Sequence, residues 1–261
     1  MASPRAFAAV IPALALIAVA LWEAQAAHRD ASSVPDDAAW DAAAQTVRAQ
    51  FHPGDLIVFA PDWVDPVGRL HLGDLVTIDM AARMDDARYG RVWILSIRGA
   101  HAPEAAGEPA FILDGEVSVR RYDRAPAVII SDVRDQLAGA KLDGGRATLE
   151  LAEVGFAPHR CIQATPAPGK PIRVTFPHLA LGSSLVGYVG LADVFTRRDV
   201  RAPGKLEVQI DGATVATAEP GVDDGWVRFA ATTKPGAADV TFVASADAPQ
   251  RLICFAAEAR Q

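Results

Sequence analysis

The sequence predicts an α+β protein with an N-terminal membrane-spanning or signal helix, a small α/β region and an antiparallel β-sandwich. Three patterns predict this class. A long uncharged run lies near the N-terminus, residues 28–126 combine a helical repeat with apolar strands, and residues 127–261 hold short alternating strands separated by turn residues. With 261 residues, of which 51% are hydrophobic, the chain can bury a core.

The N-terminal pattern is Ala6–Trp22, a run of seventeen uncharged residues after Arg5. At ~1.5 Å per residue it spans roughly 26 Å, the short end of what crosses a bilayer core. One interpretation is a signal peptide with the small-residue cleavage signature Ala24-Gln25-Ala26, and the other is an uncleaved anchor that makes the membrane a partner. Both set residues 1–27 apart and place the rest outside the cytoplasm, on the periplasmic side in a Gram-negative cell.

Residues 28–126 are predicted to form a small α/β region with a βαβ unit. Its elements are a helix between Pro35 and Pro53, a strand over Leu56–Ala60, a helix over Leu75–Asp86, and strands over Arg91–Ile97 and Gly115–Tyr122. The first helix is amphipathic, because Trp40, Val47 and Phe51 recur at helical spacing. A helix between two apolar strands predicts a parallel pair, since parallel strands need such a crossover.

Residues 127–261 contain strand patterns alone. In Lys205–Asp211, Leu206 and Val208 alternate with polar residues, and Asp211-Gly212 then forms a hairpin turn. The other predicted strands are Ala127–Ser131, Ala147–Ala152, Arg160–Ala164, Pro171–Phe176, Ser184–Leu191, Ala213–Ala218, Trp226–Ala230, Asp239–Ala244 and Leu252–Ala257. Many short strands at this spacing are typical of a β-sandwich.

The candidate site is the polar segment after the first strand, because ligands in open α/β sheets lie beyond the carboxyl ends of strands. The predicted ligand-binding residues are Asp62, Trp63, Asp65, Arg69, His71 and Asp74. Asp62 and Asp65 could be the paired acids of a glycosidase, and His71 with Asp74 could hold a metal or act as a base. The alternative is structural, because Asp residues in Pro/Gly-rich segments cap helices and fix turns.

Other chemical motifs are missing from the sequence. The remaining histidines lack the spacing of zinc ligands, and no G-x-G-x-x-G, P-loop or G-x-S-x-G frame occurs, so no metal or cofactor is predicted. The net charge of −7 is spread without a basic cluster, which argues against nucleic acid as a partner. Catalytic residues stay unassigned, and the sequence does not decide whether the chain is an enzyme.

Four segments resemble the galactose-binding-like jelly-roll family: KLEVQIDG at 205–212, DDGWVRF at 223–229, ADVTFVASA at 238–246 and LICFAAEA at 252–259. The resemblance implies a sandwich of jelly-roll type and carbohydrate binding through loops at one end, with Trp226 and Tyr188 as the available rings. First and last strands are neighbours in such jelly rolls, which implies a Cys161–Cys254 disulfide in an oxidising compartment. Two separate buried thiols are the alternative.

A second resemblance covers the α/β region. Pro53-Gly54-Asp55 before the first strand, Pro61-x-Trp63 after it and the motif over Tyr89–Trp93 are similar to the extracytoplasmic domain of polytopic glycosyltransferases that use lipid-linked sugars. This chain lacks the many spans that hold the catalytic centre of such enzymes. The resemblance therefore implies a detached soluble module.

Together these patterns predict a non-catalytic extracytoplasmic module for binding or envelope assembly, with a glycan or an envelope protein as partner and carbohydrate as the candidate ligand. The alternative is an enzyme that acts on cell-surface glycans through Asp62–Asp74. Two carboxylates converging at roughly 5–9 Å in an open pocket would favour the enzyme.

Overall fold

The computed structural model describes residues 4–32, 34–192 and 202–261, with side chains except at 4–11, 13 and 30–32. The chain forms two compact units. Unit 1 comprises Met1–Asp74 and Arg91–Asp123, and unit 2 comprises Leu75–Gly90 and Arg124–Gln261. Unit 2 thus includes Leu75–Gly90, which was predicted to belong to the α/β region.

Helix α1, Pro4–Ser32, contains the apolar N-terminal run. Within the parts of the chain that the structure describes, no helix has both the length and the apolar character needed to cross a membrane. The membrane-spanning helix expected at Ala6–Trp22 is therefore not found there. Part of that expectation falls on residues 6–11 and 13, whose side chains lie outside the described residues.

Helix α2, Asp37–Gln50, confirms the predicted amphipathic helix. The carboxylate of Asp36 accepts a hydrogen bond from the backbone N–H of Ala39 at 2.8 Å, which satisfies an amide that has no partner inside the helix. Trp40 lies on the buried face and packs edge-on against Phe59, with ring centroids 6.4 Å apart. The helix therefore covers the sheet of unit 1.

The sheet of unit 1 has four strands in the order β1-β2-β4-β3. Their bounds are β1 Leu56–Ala60, β2 Arg91–Ile97, β3 Phe111–Leu113 and β4 Val117–Asp123. Strands β1 and β2 are parallel, with Val58 opposite Ile94, which confirms the predicted parallel pair. The other two pairings are antiparallel.

Two short helices, α3 at Asp65–Leu72 and α4 at Ile78–Ala81, connect β1 to β2. The predicted helix over Leu75–Asp86 is therefore wrong in extent. After α4, the carbonyls of Ala82 and Met84 accept hydrogen bonds from the Arg160 N–H at 3.0 Å and the Trp226 indole N–H at 3.1 Å. These carbonyls accept hydrogen bonds from the sandwich and not from N–H groups one helical turn later, so the helix does not continue through them.

Helix α3 was not predicted because Pro66 and Gly68 are typical of loops. Pro66 lies in the first turn, where its missing N–H would have no intrahelical acceptor. Gly68 packs against the ring of Phe59, whose nearest atom lies 2.2 Å from the point where a Cβ would stand. The glycine therefore allows α3 to lie close to β1.

Asp55 and Trp93 form a buried polar contact in unit 1. The carboxylate of Asp55, 3% exposed, accepts hydrogen bonds from the Trp93 indole N–H at 2.9 Å and the His52 backbone N–H at 3.0 Å. Arg91 adds an ion pair at 3.3 Å. These residues thus connect the approach to β1 with β2.

Unit 2 is an antiparallel β-sandwich, which confirms that part of the predicted fold. One sheet has the order β13-β10-β15-β8-β7 with β5 also on β15, and the other has the order β12-β11-β14-β9-β6. The bounds are β5 Ile129–Asp132, β6 Lys141–Asp143, β7 Ala147–Val154, β8 Ala157–Ala164, β9 Ile172–Leu181, β10 Ser184–Leu191, β11 Gly204–Ile210, β12 Ala213–Ala218, β13 Val227–Thr232, β14 Gly236–Ala246 and β15 Ile253–Arg260. Phe242 of one sheet stacks on Phe255 of the other, with centroids 5.0 Å apart.

Strand β15 changes partner along its length. Ile253–Phe255 pair with β8, whereas Glu258–Arg260 pair with β5. All eight residues of β15 are buried, although only alternate side chains, such as Ala257, face the core. The opposite face is covered by Leu75–Gly90, here named the covering segment, whose Asp85 bonds Arg260 at 2.8 Å.

The two cysteines form the predicted disulfide. Cys161 of β8 and Cys254 of β15 are bonded, with Cα atoms 5.5 Å apart, inside the range of native bridges. Both are fully buried beside Val154 and Ala192. The prediction of neighbouring strands is also confirmed, because β8 pairs with β15.

Candidate functional site

The predicted site segment begins where β1 ends. A 3-10 turn over Asp62–Val64 follows Pro61 and leads directly into α3. Trp63 is 63% exposed in this turn, and the guanidinium carbon of Arg98 lies 6.0 Å from its ring centroid. We call Asp62, Trp63 and Arg98 the Trp63 surface; Arg98 was not among the predicted site residues.

The other four predicted residues have partners within unit 1. Asp65 accepts hydrogen bonds from Arg69, four residues later on α3, at 2.5 and 3.1 Å. His71 Nδ1 bonds the carboxylate of Asp41 at 2.8 Å, and its ring stacks on Trp40 with centroids 6.0 Å apart.

The last of the four predicted residues, Asp74, is bonded by the guanidinium of Arg48 at 2.5 and 2.7 Å. The same guanidinium donates to the carbonyl of His71 at 2.6 Å. Arg48 and Asp41 belong to α2, so the contacts of His71 and Asp74 fix α3 and its C-terminus against α2.

These contacts limit the chemistry of the segment. A glycosidase needs two carboxylates that face one bond. Of the predicted pair Asp62 and Asp65, Asp65 is bonded by Arg69 of its own helix. Asp74, the third acid of the segment, is bonded by Arg48. An exposed tryptophan beside a guanidinium offers instead a flat apolar ring with a polar edge. The Trp63 surface can therefore bind a ligand that has both an apolar face and polar groups.

Unit 2 contains a buried ionic network that the sequence pattern did not predict. Glu258, 1% exposed, accepts hydrogen bonds from Arg88 at 2.5 Å, Arg134 at 3.3 Å and Arg260 at 2.8 Å. Asp132 accepts from Arg134 at 2.5 Å and from Arg88 at 3.2 Å. Each charge has an opposite charge within hydrogen-bonding distance, which buried ions require.

The network raises the pKa values of its arginines. Burial alone would lower the pKa of Arg134, but the hydrogen bonds and charge of Asp132 and the charge of Glu258 outweigh it, so the pKa is raised. For Arg88, burial likewise acts to lower the pKa, but the charge and hydrogen bond of Glu258 and the charge of Asp132 together outweigh it, so the pKa is raised. Both guanidinium groups therefore stay charged across the accessible pH range.

A cavity of about 170 Å³ lies beside this network, entirely within unit 2. It is located where β15 changes partner from β8 to β5, under the covering segment. Its lining is mostly polar and comprises Asp79, Ala82, Arg83, Met84, Arg88, Tyr89, Asp132, Arg134, Asp135, Leu149 and Arg160.

Trp226 and Tyr188, the rings proposed for sugar stacking, pack against other side chains instead. Trp226 stacks on His159 with centroids 4.4 Å apart and on Tyr188 with centroids 6.0 Å apart. Its indole N–H is bonded to the carbonyl of Met84 in the covering segment. Burial lowers the pKa of His159, so this ring is neutral at pH 7.

Comparison with known proteins identifies no family: no family model matches the chain, and no curated protein matches significantly. The suggested similarity to glycosyltransferases therefore finds no support. Among solved structures, the carbohydrate-binding module CBM51 of Clostridium perfringens GH95 in complex with methyl-galactose is similar at 10% identity, covering 45% of this chain and 92% of that one with a TM-score of 0.35.

The CBM51-2 and INT domains of Clostridium perfringens ZmpB, with CBM51-2 in complex with GlcNAc, are similar at 12% identity, covering 60% of this chain and 39% of that one with a TM-score of 0.37. A carbohydrate-binding module CBM36 in complex with calcium and xylotriose is similar at 11% identity, covering 48% of this chain and 96% of that one with a TM-score of 0.33. These scores are too low to carry an argument about function.

Proposed function

We propose that the chain is a non-catalytic, extracytoplasmic carbohydrate-binding module that contacts its glycan through the Trp63 surface. Asp62, Trp63 and Arg98 meet the ligand. Asp65, Arg69, His71 and Asp74 take part indirectly, because they fix the helix that follows Trp63.

The exposure of Trp63 carries this proposal. Trp63 is 63% exposed, whereas Trp40 and Trp93 of the same unit are buried at 3% and 0%. Exposed apolar surface beside polar groups is typical of an interaction site, and an aromatic ring can pack on the C–H face of a pyranose. Asp62 can accept hydrogen bonds from sugar hydroxyls and Arg98 can donate them.

The test compares the full-length chain with the Trp63→Ala variant on a glycan array, followed by titration of each bound glycan. We expect a loss of roughly 30-fold or more in affinity, the usual effect of truncating an aromatic residue at the centre of a binding site. Phe156→Ala is the matched control, because Phe156 is 78% exposed but belongs to unit 2. Equal binding by parent and Trp63→Ala would refute the proposal, and release of free sugar by the parent would replace binding with catalysis.

The extracytoplasmic location is the second part of the proposal. The Cys161–Cys254 disulfide supports it, because structural disulfides form and persist mainly in oxidising compartments. A fusion of residues 1–50 to a reporter that is active only outside the cytoplasm is expected to be active. A stable but inactive reporter would contradict the location, and fractionation would separate an anchored from a released product.

A further inference from the structure

We propose that strand β7 of the sandwich is a self-association surface, where the β7 strand of a second copy of this chain pairs with it in antiparallel orientation. The two copies are then related by a two-fold axis, and their sheets join edge to edge. The proposal concerns unit 2 alone and does not depend on glycan binding by the Trp63 surface.

Strand β7 is a long outer strand without the usual protection of a sheet edge. It has eight residues, Ala147–Val154, and it pairs with β8 along its whole length without a bulge. It contains neither proline nor lysine. Exposed strand edges are templates for a further strand, and native proteins usually blunt them with such features. Strand β7 therefore presents an open edge.

The other outer strands that the structure describes in unit 2 differ from β7. Strand β6 has three residues, and β5 has four residues and an irregular register with β15. A bulge interrupts the pairing of β12 with β11, and β13 packs against β12 of the other sheet. Short, bulged and covered edges resist pairing with another chain. Strand β7 is thus the outer strand best suited to it.

The backbone groups of Leu149 and Leu151 point toward the open edge. A two-residue turn joins β7 to β8, so the flanking pair Val154 and Ala157 exchanges hydrogen bonds. From there, bonded and unbonded pairs alternate along an antiparallel ladder. Leu149 and Leu151 fall in unbonded pairs, which directs their N–H and C=O groups away from β8.

The opposite residue on β8 agrees with this alternation. Arg160 pairs with Leu151, and its N–H donates to the carbonyl of Ala82, on the side away from β7. In the described part of the chain, no backbone group outside β8 bonds the backbone of β7. A second β7 strand would satisfy the groups that point outward.

Apolar side chains accompany these backbone groups. Leu149 is 44% exposed and Leu151 is 54% exposed. Because they are two residues apart on one strand, both side chains lie on the same face of the sheet. Pairing with a second strand would therefore cover apolar surface as well as backbone polar groups.

The sequence of β7 favours a second copy as the partner. Outward-facing residues must pair with outward-facing residues, so the two-fold axis can pass through residue 149, 150 or 151. An axis at 149 pairs only residues 147–151, and an axis at Glu150 places two like charges directly opposite, which is destabilising. An axis at Leu151 pairs residues 148–154 and places Glu150 opposite Ala152.

The resulting dimer is expected to be weak. A single pair of strands buries less than the roughly 800 Å² per partner of a standard interface, and each copy carries a net charge of −7. Glu150 also lies diagonally from its counterpart in the second copy, at roughly 7–8 Å. Glu150→Gln should therefore strengthen the association by about 2- to 5-fold.

The first test is sedimentation equilibrium of the full-length chain over about 1–300 µM, where a monomer–dimer equilibrium is expected. Leu151→Lys should weaken the association by roughly 10-fold or more, because it places two lysines directly opposite each other. Val215→Lys is the matched control, since Val215 is 37% exposed on the outer strand β12. It should associate as the parent does, and so should Trp63→Ala.

The second test is disulfide cross-linking of single-cysteine variants, which is possible because the two native cysteines are bonded to each other. Directly opposite, hydrogen-bonded residues have Cα atoms about 5.5 Å apart, a distance that a disulfide can bridge. Under mild oxidation, Leu151→Cys should form a covalent dimer, whereas Glu150→Cys and Val215→Cys should not.

These results can overturn the proposal. It fails if the parent stays monomeric at about 300 µM, if Leu151→Lys associates as the parent does, or if Leu151→Cys cross-links no faster than Val215→Cys. Faster cross-linking through Glu150→Cys than through Leu151→Cys would contradict the pairing about Leu151. Loss of glycan binding in Trp63→Ala bears on the Trp63 surface alone, so the two proposals can fail separately.

Discussion

Removal of the Cys161–Cys254 bridge is expected to lower the free energy of unfolding of unit 2. The bridge joins residues 93 positions apart. For a loop of that length, chain-entropy arithmetic gives about 4.6 kcal/mol at 25 °C, and compact denatured chains reduce it toward about 2 kcal/mol. The variant to use is the double substitution Cys161→Ala with Cys254→Ala, since a single substitution would leave a buried thiol.

The measurement is urea denaturation of the parent and the double variant, each with and without reductant. With an m-value of about 2 kcal/mol per molar urea, the expected loss moves the midpoint down by roughly 1–2 M. Reductant should move the parent toward the double variant, and it should leave the double variant unchanged. This second comparison is the control for effects of the two alanines.

Lost packing adds to the expected decrease in the free energy of unfolding. Cys161 and Cys254 are both fully buried beside Val154 and Ala192, so the alanines also remove buried sulfur atoms. The reasoning is refuted if the double variant and the oxidised parent unfold at the same midpoint with the same m-value. Two free thiols in the denatured, unreduced parent would contradict the bridge itself.

Three further predictions concern single side chains. Burial lowers the pKa of His159 below its ordinary 6.5, so the stability that the neutral ring contributes is present above pH 6.5 and is lost as the pH falls through the lowered pKa. The melting temperature of the parent should therefore fall with acid more steeply than that of His159→Gln. Glu258→Gln should cost about 3–5 kcal/mol because it leaves buried arginines under-compensated, whereas Asp79→Asn, at an exposed pair, should cost less than about 1 kcal/mol, both measured by denaturation. Asp36→Ala removes the N-cap of α2 and should cost about 1 kcal/mol in the unfolding of unit 1.

The sandwich strands could be predicted because their pattern follows local physics. In β11, Leu206 and Val208 are buried and alternate with more exposed residues, since successive side chains point to opposite faces. In β15, the same alternation at Glu258 and Arg260 is typical of a solvent-facing row. Both side chains are buried instead. Glu258 is bonded by Arg88, which lies 170 residues earlier in the chain, and a local sequence pattern cannot predict a contact over that separation.

In the candidate site, too, local features could be predicted and long-range contacts could not. The turn after Ala60 could be located, because an apolar strand bounded by Pro and Gly has to end there. The partner of Asp74 could not be inferred, because Arg48 lies 26 residues earlier, on α2. The cavity beside Tyr89 was also missed, since it depends on the meeting of residues from four separate segments.

Because of where the covering segment lies in the chain, the sandwich cannot be transferred to another protein as one continuous stretch of sequence. Leu75–Gly90 precedes β2 in the sequence, yet it covers β15 at the far end of the chain. A fragment cut at Arg124 would carry Glu258 and Arg260 without Arg88 and Asp85, which neutralise them. Grafting this sandwich onto another protein therefore requires the sixteen-residue peptide to be supplied as well, either joined by a new linker or added in trans.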